Sequence, residues 1–97
     1  MTTNELIVML KAVAAELAPL HGDQSQWFLF GSALRDAEAA ADYDVAIICS
    51  QDAAIGLRTA LEPLCSRLPL HLMILTPNED HSLNFTAGQG AQLFFPE

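Results

Sequence analysis

Apolar residues recur at helical spacing along the first turns of the chain. Leu6, Met9, Leu10, Val13 and Leu17 fall on one face, with Lys11 and Glu16 away from it. Thr2-x-x-Glu5 stands just ahead and reads as a capping box, in which hydroxyl and carboxylate each satisfy the other residue's backbone N–H. The pattern predicts a first helix that ends before Pro19, since proline breaks the helical ladder. His21-Gly22-Asp23-Gln24-Ser25 is a polar loop, and His21 is taken as a surface residue without a role. Trp27 to Phe30 is short, aromatic and apolar, a buried first strand. Ser32 to about Ala40 is Ala-rich and supports one or two helical turns. Asp42 to Cys49 forms a second strand, apolar on both faces after Asp44, as a central strand is.

Ser50 then opens a second long helical pattern, with Ala54, Leu57, Leu61 and Leu64 on one face and Pro63 expected to kink or end it early. Leu68 to Thr76 carries a third strand, Leu70-His71-Leu72-Met73-Ile74-Leu75. Thr76-Pro77-Asn78-Glu79 is another capping box, with proline at the first helical position. A short helix ending near Gly88 and a closing strand from Ala91 to Phe95 complete the chain. No repeat, linker or low-complexity tract interrupts it.

Length and composition narrow the classes. A chain of 97 residues with 52% hydrophobic content suits one domain, 1–97, with one modest core. Apolar runs are too short to span a membrane, and no basic segment precedes an apolar block, so no signal peptide is expected and the cytoplasm is the default. Net charge is −8, with Lys11, Arg35, Arg58 and Arg67 the only cationic side chains. Nucleic-acid binding needs clustered lysine and arginine to neutralise phosphates, so a DNA or RNA partner is not expected. Cys49 and Cys65 stand far apart in apolar surroundings and read as buried free thiols.

The chemistry gathers between the first two strands. Leu29-Phe30-Gly31-Ser32 runs from strand to turn, and Asp42-Tyr43-Asp44 opens the next strand. Strand side chains alternate between faces, so Asp42 and Asp44 are expected to share one. Two carboxylates held close repel unless a cation lies between them. Glycine lets backbone approach a ligand, and serine can open a helix. Together these suit phosphate and a divalent metal.

An apolar strand, Gly31-Ser32, nine intervening residues (Ala33 to Ala41) and Asp42-x-Asp44 leading into a second apolar strand resemble the minimal nucleotidyltransferases of the DNA polymerase β superfamily. The resemblance implies an α+β, nucleotidyltransferase-like fold: an N-terminal helix, then a mostly central mixed β-sheet flanked by helices. It implies transfer of a nucleotide, AMP from ATP, to a hydroxyl acceptor. Asp42 and Asp44 would hold Mg²⁺ or Mn²⁺, Gly31 and Ser32 would bind the terminal phosphates, and Arg35 would add positive charge. From the residues alone, Arg35 could equally be solvated and paired with Asp36 or Glu38. Ala33 and Asp36 depart from the family, which often has arginine and glycine at those places.

The main departure lies on the third strand. The family's third carboxylate falls in a context matched here by Leu70-His71-Leu72, so His71 occupies that place. Histidine could act as a general base there, or mark a catalytically degenerate site. Glu79 and Asp80 lie beyond the strand and are not expected to substitute. So short a chain resembles those members paired with a helical partner of HEPN ribonuclease type in toxin–antitoxin modules; a homodimer is the alternative assembly. Two functions follow: a nucleotidyltransferase, or a nucleotide- or partner-binding subunit of the same fold that has lost catalysis.

Overall fold

The computed structural model describes residues 1–21 and 24–96. Gly22 and Asp23, in the expected polar loop, lie outside the described residues. Helix α1 spans Thr3–His21. Its capping box closes on both sides: Thr2 N–H donates to Glu5 Oε1 at 2.8 Å, and Glu5 N–H donates to Thr2 Oγ1 at 3.1 Å. Leu6, Leu10, Ala14 and Ala18 are buried at a spacing of four, one stripe along the helix. The helix continues through Pro19 instead of ending before it. Proline at this point frees the carbonyl of Ala15. Both residues face solvent, where water can take the lost bond.

Strand β1 is Gln26–Phe30, the short helix α2 is Ser32–Asp36, and strand β2 is Tyr43–Ile48. Helix α3 runs Gln51–Arg67 behind Ser50, whose Oγ accepts from Ala53 N–H at 3.1 Å. It too passes its proline: Pro63 and Thr59, four residues back, are both exposed, so the expected early end does not occur. Strand β3 is Leu70–Leu75. The short helix expected up to Gly88 is two pieces, α4 (Pro77–Leu83) and α5 (Phe85–Gly88), because Asn84 between them is left-handed, φ 49° and ψ 43°. Asparagine visits that conformation more readily than other side-chain-bearing residues. The second capping box forms as expected, Thr76 N–H to Glu79 Oε1 at 2.8 Å and Glu79 N–H to Thr76 Oγ1 at 3.2 Å, with Pro77 first in the helix. Strand β4, Gln92–Phe95, closes the chain.

The architecture is α+β with a mixed four-stranded sheet in the order β3-β2-β1-β4. β1 runs antiparallel to β2 and β4, whereas β2 and β3 are parallel. β2 is therefore internal, which explains why Val45 to Ile48 are all buried. One sheet face carries Trp27, Leu29, Val45 and Ile47 into a core shared with Leu6 and Leu10 of α1 and Leu57 and Leu61 of α3. Phe94 joins them, its ring edge-on to Trp27 at 6.5 Å. The other face carries Phe28, Phe30, Asp44, Ala46, His71 and Met73 by strand alternation. The α4–α5 segment lies on that side, with Phe85 edge-on to Phe30 at 5.2 Å.

Cys49 is buried and Cys65 is half-buried, both as free thiols. Among the described residues no helix is long and apolar enough to cross a membrane.

Candidate functional site

Strand register builds the site as a row. Phe30 of β1 pairs with Asp44 of β2, and Asp44 pairs with His71 of β3. All three therefore sit side by side on the face turned away from α1 and α3. Gly31 follows Phe30 at once, with φ 73° and ψ −155°. That backbone region is essentially open to glycine alone. Asp44 Oδ2 rests against Gly31 Cα, and a Cβ added at Gly31 would collide with it. The carboxylate and the Gly-Ser turn are thus in direct contact.

The other oxygen of the carboxylate is also engaged. Asp44 Oδ1 and His71 Nδ1 lie 3.1 Å apart. An ionised carboxylate only accepts hydrogen bonds, which assigns the neutral ring's proton to Nδ1 and leaves a lone pair on Nε2. The His71 side chain is 71% exposed and that of Asp44 21%, so Nε2 sits at the open surface while its partner is sheltered. This aspartate–histidine geometry can orient a base toward a bound hydroxyl.

The remaining sequence-derived candidates lie around this pair. Asp42 is exposed in a bend one residue ahead of β2. The first ladder bond is Tyr43 N–H to Pro69 C=O at 2.8 Å, so the strand begins after Asp42. The face expected from alternation is accordingly not imposed on Asp42. Ser32 is the first residue of α2 and is exposed; Gly31 takes the capping position, and no side chain caps the helix. Arg35 is exposed in the last turn of α2. Among the described residues it forms no pair with Asp36 or Glu38; instead Asp36 Oδ1 accepts from Glu38 N–H at 3.2 Å. His21 ends α1 with its ring against Gly56 of α3, remote in sequence from the site.

Glu79 and Asp80 are occupied elsewhere. Glu79 closes the α4 capping box, and Asp80 accepts from both Thr86 N–H at 2.8 Å and Thr86 Oγ1 at 2.9 Å, pinning α5 to α4. Among the described residues no three His, Cys, Asp or Glu side chains converge as a metal cage. Mg²⁺ does not require one: it commonly takes one or two carboxylates and completes its octahedron with water and phosphate oxygens. Asp44, pressed on the glycine turn, is a carboxylate of the kind such an ion takes, and the exposed Asp42 stands two residues ahead of it.

One supporting residue escaped the sequence pattern. Thr3 Oγ1 donates to Ala33 C=O at 2.9 Å and accepts from Ala37 N–H at 3.0 Å, fastening the start of α1 to α2 and so to the Gly-Ser turn. Helical periodicity gave no signal for it, since Thr3 lies in the capping segment. A separate cleft of about 400 Å³ opens at the far end of β2, lined by residues including Gln24, Ser25, Cys49 and Ser50. Among the described residues no carboxylate or imidazole lines it, and the buried Ser25 Oγ accepts from Trp27 Nε1 at 2.8 Å. It offers no acid–base chemistry of the kind seen at Asp44.

The fold and site together define an α+β domain with an aspartate–histidine pair set against a glycine turn. No family model, curated protein or solved structure matches the chain.

Proposed function

We propose that the chain is a metal-dependent nucleotidyltransferase-like domain, transferring AMP from ATP to a hydroxyl acceptor, with a helical HEPN-type partner protein as the candidate bearer of that hydroxyl. The observation that carries this reading is the contact of Asp44 with Gly31 on one side and His71 on the other. Asp42 and Asp44 would hold Mg²⁺ or Mn²⁺, which when bound supplies charge neutralisation at the triphosphate. The room that Gly31 leaves is where Asp44 reaches the backbone of the turn, and the exposed Ser32 hydroxyl beside it is free to donate to a phosphate oxygen. Arg35, one turn along α2, adds the nearest cation in sequence. His71 accepts the acceptor's proton at Nε2, while Asp44 steadies the ring through Nδ1. No protein nucleophile is needed, because positioning and electrostatics dominate such transfers.

A second reading is favoured by one detail. Asp44 Oδ1 is already engaged by His71, which leaves fewer lone pairs for a cation. A non-catalytic subunit that binds nucleotide or partner would have that property.

Titration with ATP and Mg²⁺ or Mn²⁺, with pyrophosphate release followed in the presence of the co-purifying partner, separates the two. Turnover that Asp44→Asn abolishes, and that His71→Ala lowers by about 10²–10⁴-fold with ATP binding retained, is the result expected of an enzyme. Binding without pyrophosphate release selects the subunit. Absence of nucleotide binding, or an Asp44→Asn rate equal to that of the unsubstituted chain, refutes the assignment.

A further inference from the structure

The sheet has two outer strands, and they are treated differently. β4 is four residues long, its pairing with β1 is irregular between Trp27 and Phe28, and Pro96 follows it. Short length, irregular pairing and proline are the usual means of blunting an exposed strand. β3 is neither short nor irregular, and Pro69, which stands immediately ahead of it, has its carbonyl bonded to β2. The six residues of β3 pair with β2 in unbroken register, and no charged residue occurs between Leu68 and Asn78.

The free hydrogen-bonding groups of β3 can be identified. Pro69 C=O accepts from Tyr43 N–H, and Leu75 C=O accepts from Cys49 N–H. The main-chain groups of successive strand residues point to opposite sides, so Pro69, His71, Met73 and Leu75 address β2. Leu70, Leu72 and Ile74 therefore address the outside. Leu70 N–H is turned back onto Leu68 C=O at 2.7 Å. Thr76 is spent as well, its N–H on Glu79 and its C=O on Asp80 N–H. What remains is N–H and C=O of both Leu72 and Ile74, plus the Leu70 carbonyl.

We propose that β3 is the contact edge between two copies of this chain, running antiparallel about a two-fold axis at Met73. In that register Leu72 lies opposite Ile74 of the second copy and exchanges both hydrogen bonds with it, and the symmetry repeats the exchange. Every free donor of the edge is then satisfied. The register also keeps like faces together, with Met73 opposite its own counterpart, His71 beside Leu75 of the second copy, and Leu72 beside Ile74. The Met73 and Leu72–Ile74 pairs are apolar and meet directly across the seam. A register displaced by one residue would set core-facing side chains against site-facing ones. A second copy fits the edge because the two-fold exchange between Leu72 and Ile74 leaves none of its free donors over and sets like faces together. The seam would cover one flank of the exposed His71, so assembly and site adjoin. The inference rests on backbone geometry and stands whether or not the site turns over nucleotide.

A short seam between chains of net charge −8 makes a weak dimer, with a dissociation constant in the micromolar range that tightens with salt. Sedimentation velocity from 5 to 500 µM tests this. The expected result is a concentration-dependent shift toward twice the 10.5 kDa chain mass, stronger at high salt. Met73→Lys, which sets two ammonium groups face to face on the axis, should raise the dissociation constant about tenfold or more with unchanged far-UV circular dichroism. Met73→Cys in a Cys65→Ser background should oxidise to a covalent dimer, since non-hydrogen-bonded antiparallel partners sit about 4.5 Å apart at Cα, within disulfide range. Leu75→Cys should not. A chain that stays monomeric at 500 µM, a dimer indifferent to Met73→Lys, or crosslinking at residue 75 instead of 73 overturns the proposal.

Discussion

Replacing Gly31 by alanine tests the central contact of the site without touching any group that would do chemistry. Two costs are expected. The first is local: φ 73° with ψ −155° is a region that costs a residue bearing a Cβ about 1–3 kcal/mol. The second is the neighbour. The new methyl would overlap Asp44 Oδ2 and crowd its Cγ at 3.3 Å, so the carboxylate must leave its rotamer, at about 0.5–1.5 kcal/mol. Loss of the Asp44–His71 contact adds at most about 1 kcal/mol, since the histidine is largely solvated. The sum is about 1.5–5.5 kcal/mol. At about 4–8 °C per kcal/mol for a chain of this size, that lowers the melting temperature by about 6–40 °C.

Thermal and urea unfolding by circular dichroism measure that sum, and a double-mutant cycle divides it. In an Asp44→Ala background the overlap is gone and only backbone strain remains. Gly31→Ala should then cost less by about 1 kcal/mol, the coupling typical of residues in direct contact. A Gly31→Ala penalty below about 0.5 kcal/mol would show that the turn does not hold the left-handed conformation, because surface changes without a special role fall in that range. An equal penalty in both backgrounds would show that Asp44 does not lie on the glycine, and the site would lose its central contact.

Thr3→Val removes both hydrogen bonds that fasten α2, at about 1–3 kcal/mol, and should speed amide exchange at Ala37, whose N–H loses its acceptor. The backbone N–H and then the hydroxyl of Thr2 hold Glu5's carboxyl below its ordinary range. Its contribution is therefore present above the unfolded carboxyl value and fades as pH falls through the lower folded one, so Glu5→Gln should lower stability slightly at neutral pH and flatten the acid limb below about pH 4.5, the two chains converging at low pH in acid unfolding followed by circular dichroism. Burial pushes the Cys49 thiol up, so Ellman's reagent at pH 8 should titrate the half-buried Cys65 quickly and Cys49 only as the chain opens. Two equally fast thiols would contradict that burial.

The parts of the fold that were legible share a cause. Both capping boxes and the Ser50 cap rest on residues within three positions of one another, so they form wherever the chain goes. The three principal strands followed from short apolar runs and the two long helices from apolar residues at helical spacing. The errors came where solvent decided the outcome. Pro19 read as a helix end and Pro63 as a kink or an early end, yet each frees a carbonyl on an exposed side, and the helices run on. Asn84 gave no clear sign of splitting the last helix, because whether asparagine turns left-handed depends on what the next segment packs against; here Phe85 reaches Phe30.

The site was legible to a different degree at each member. Gly31 and Asp44 were visible as a motif, but their contact is made by the pairing of Phe30 with Asp44, a register that no local pattern states. His71 was found by its place on the third strand, and parallel pairing puts it opposite Asp44. Asp42 shows the limit of the same logic. Alternation transmits position only through residues that the ladder holds, and the ladder starts at Tyr43. The sheet's two faces thus divide the labour: one is filled by α1 and α3 and fixes the register, while the other inherits that register and spends it on placing Asp44 between a glycine and an imidazole. A substitution that weakens the first face while leaving the fold intact, such as Leu29→Ala, should therefore loosen the Asp44–His71 distance before any residue of the site itself is changed.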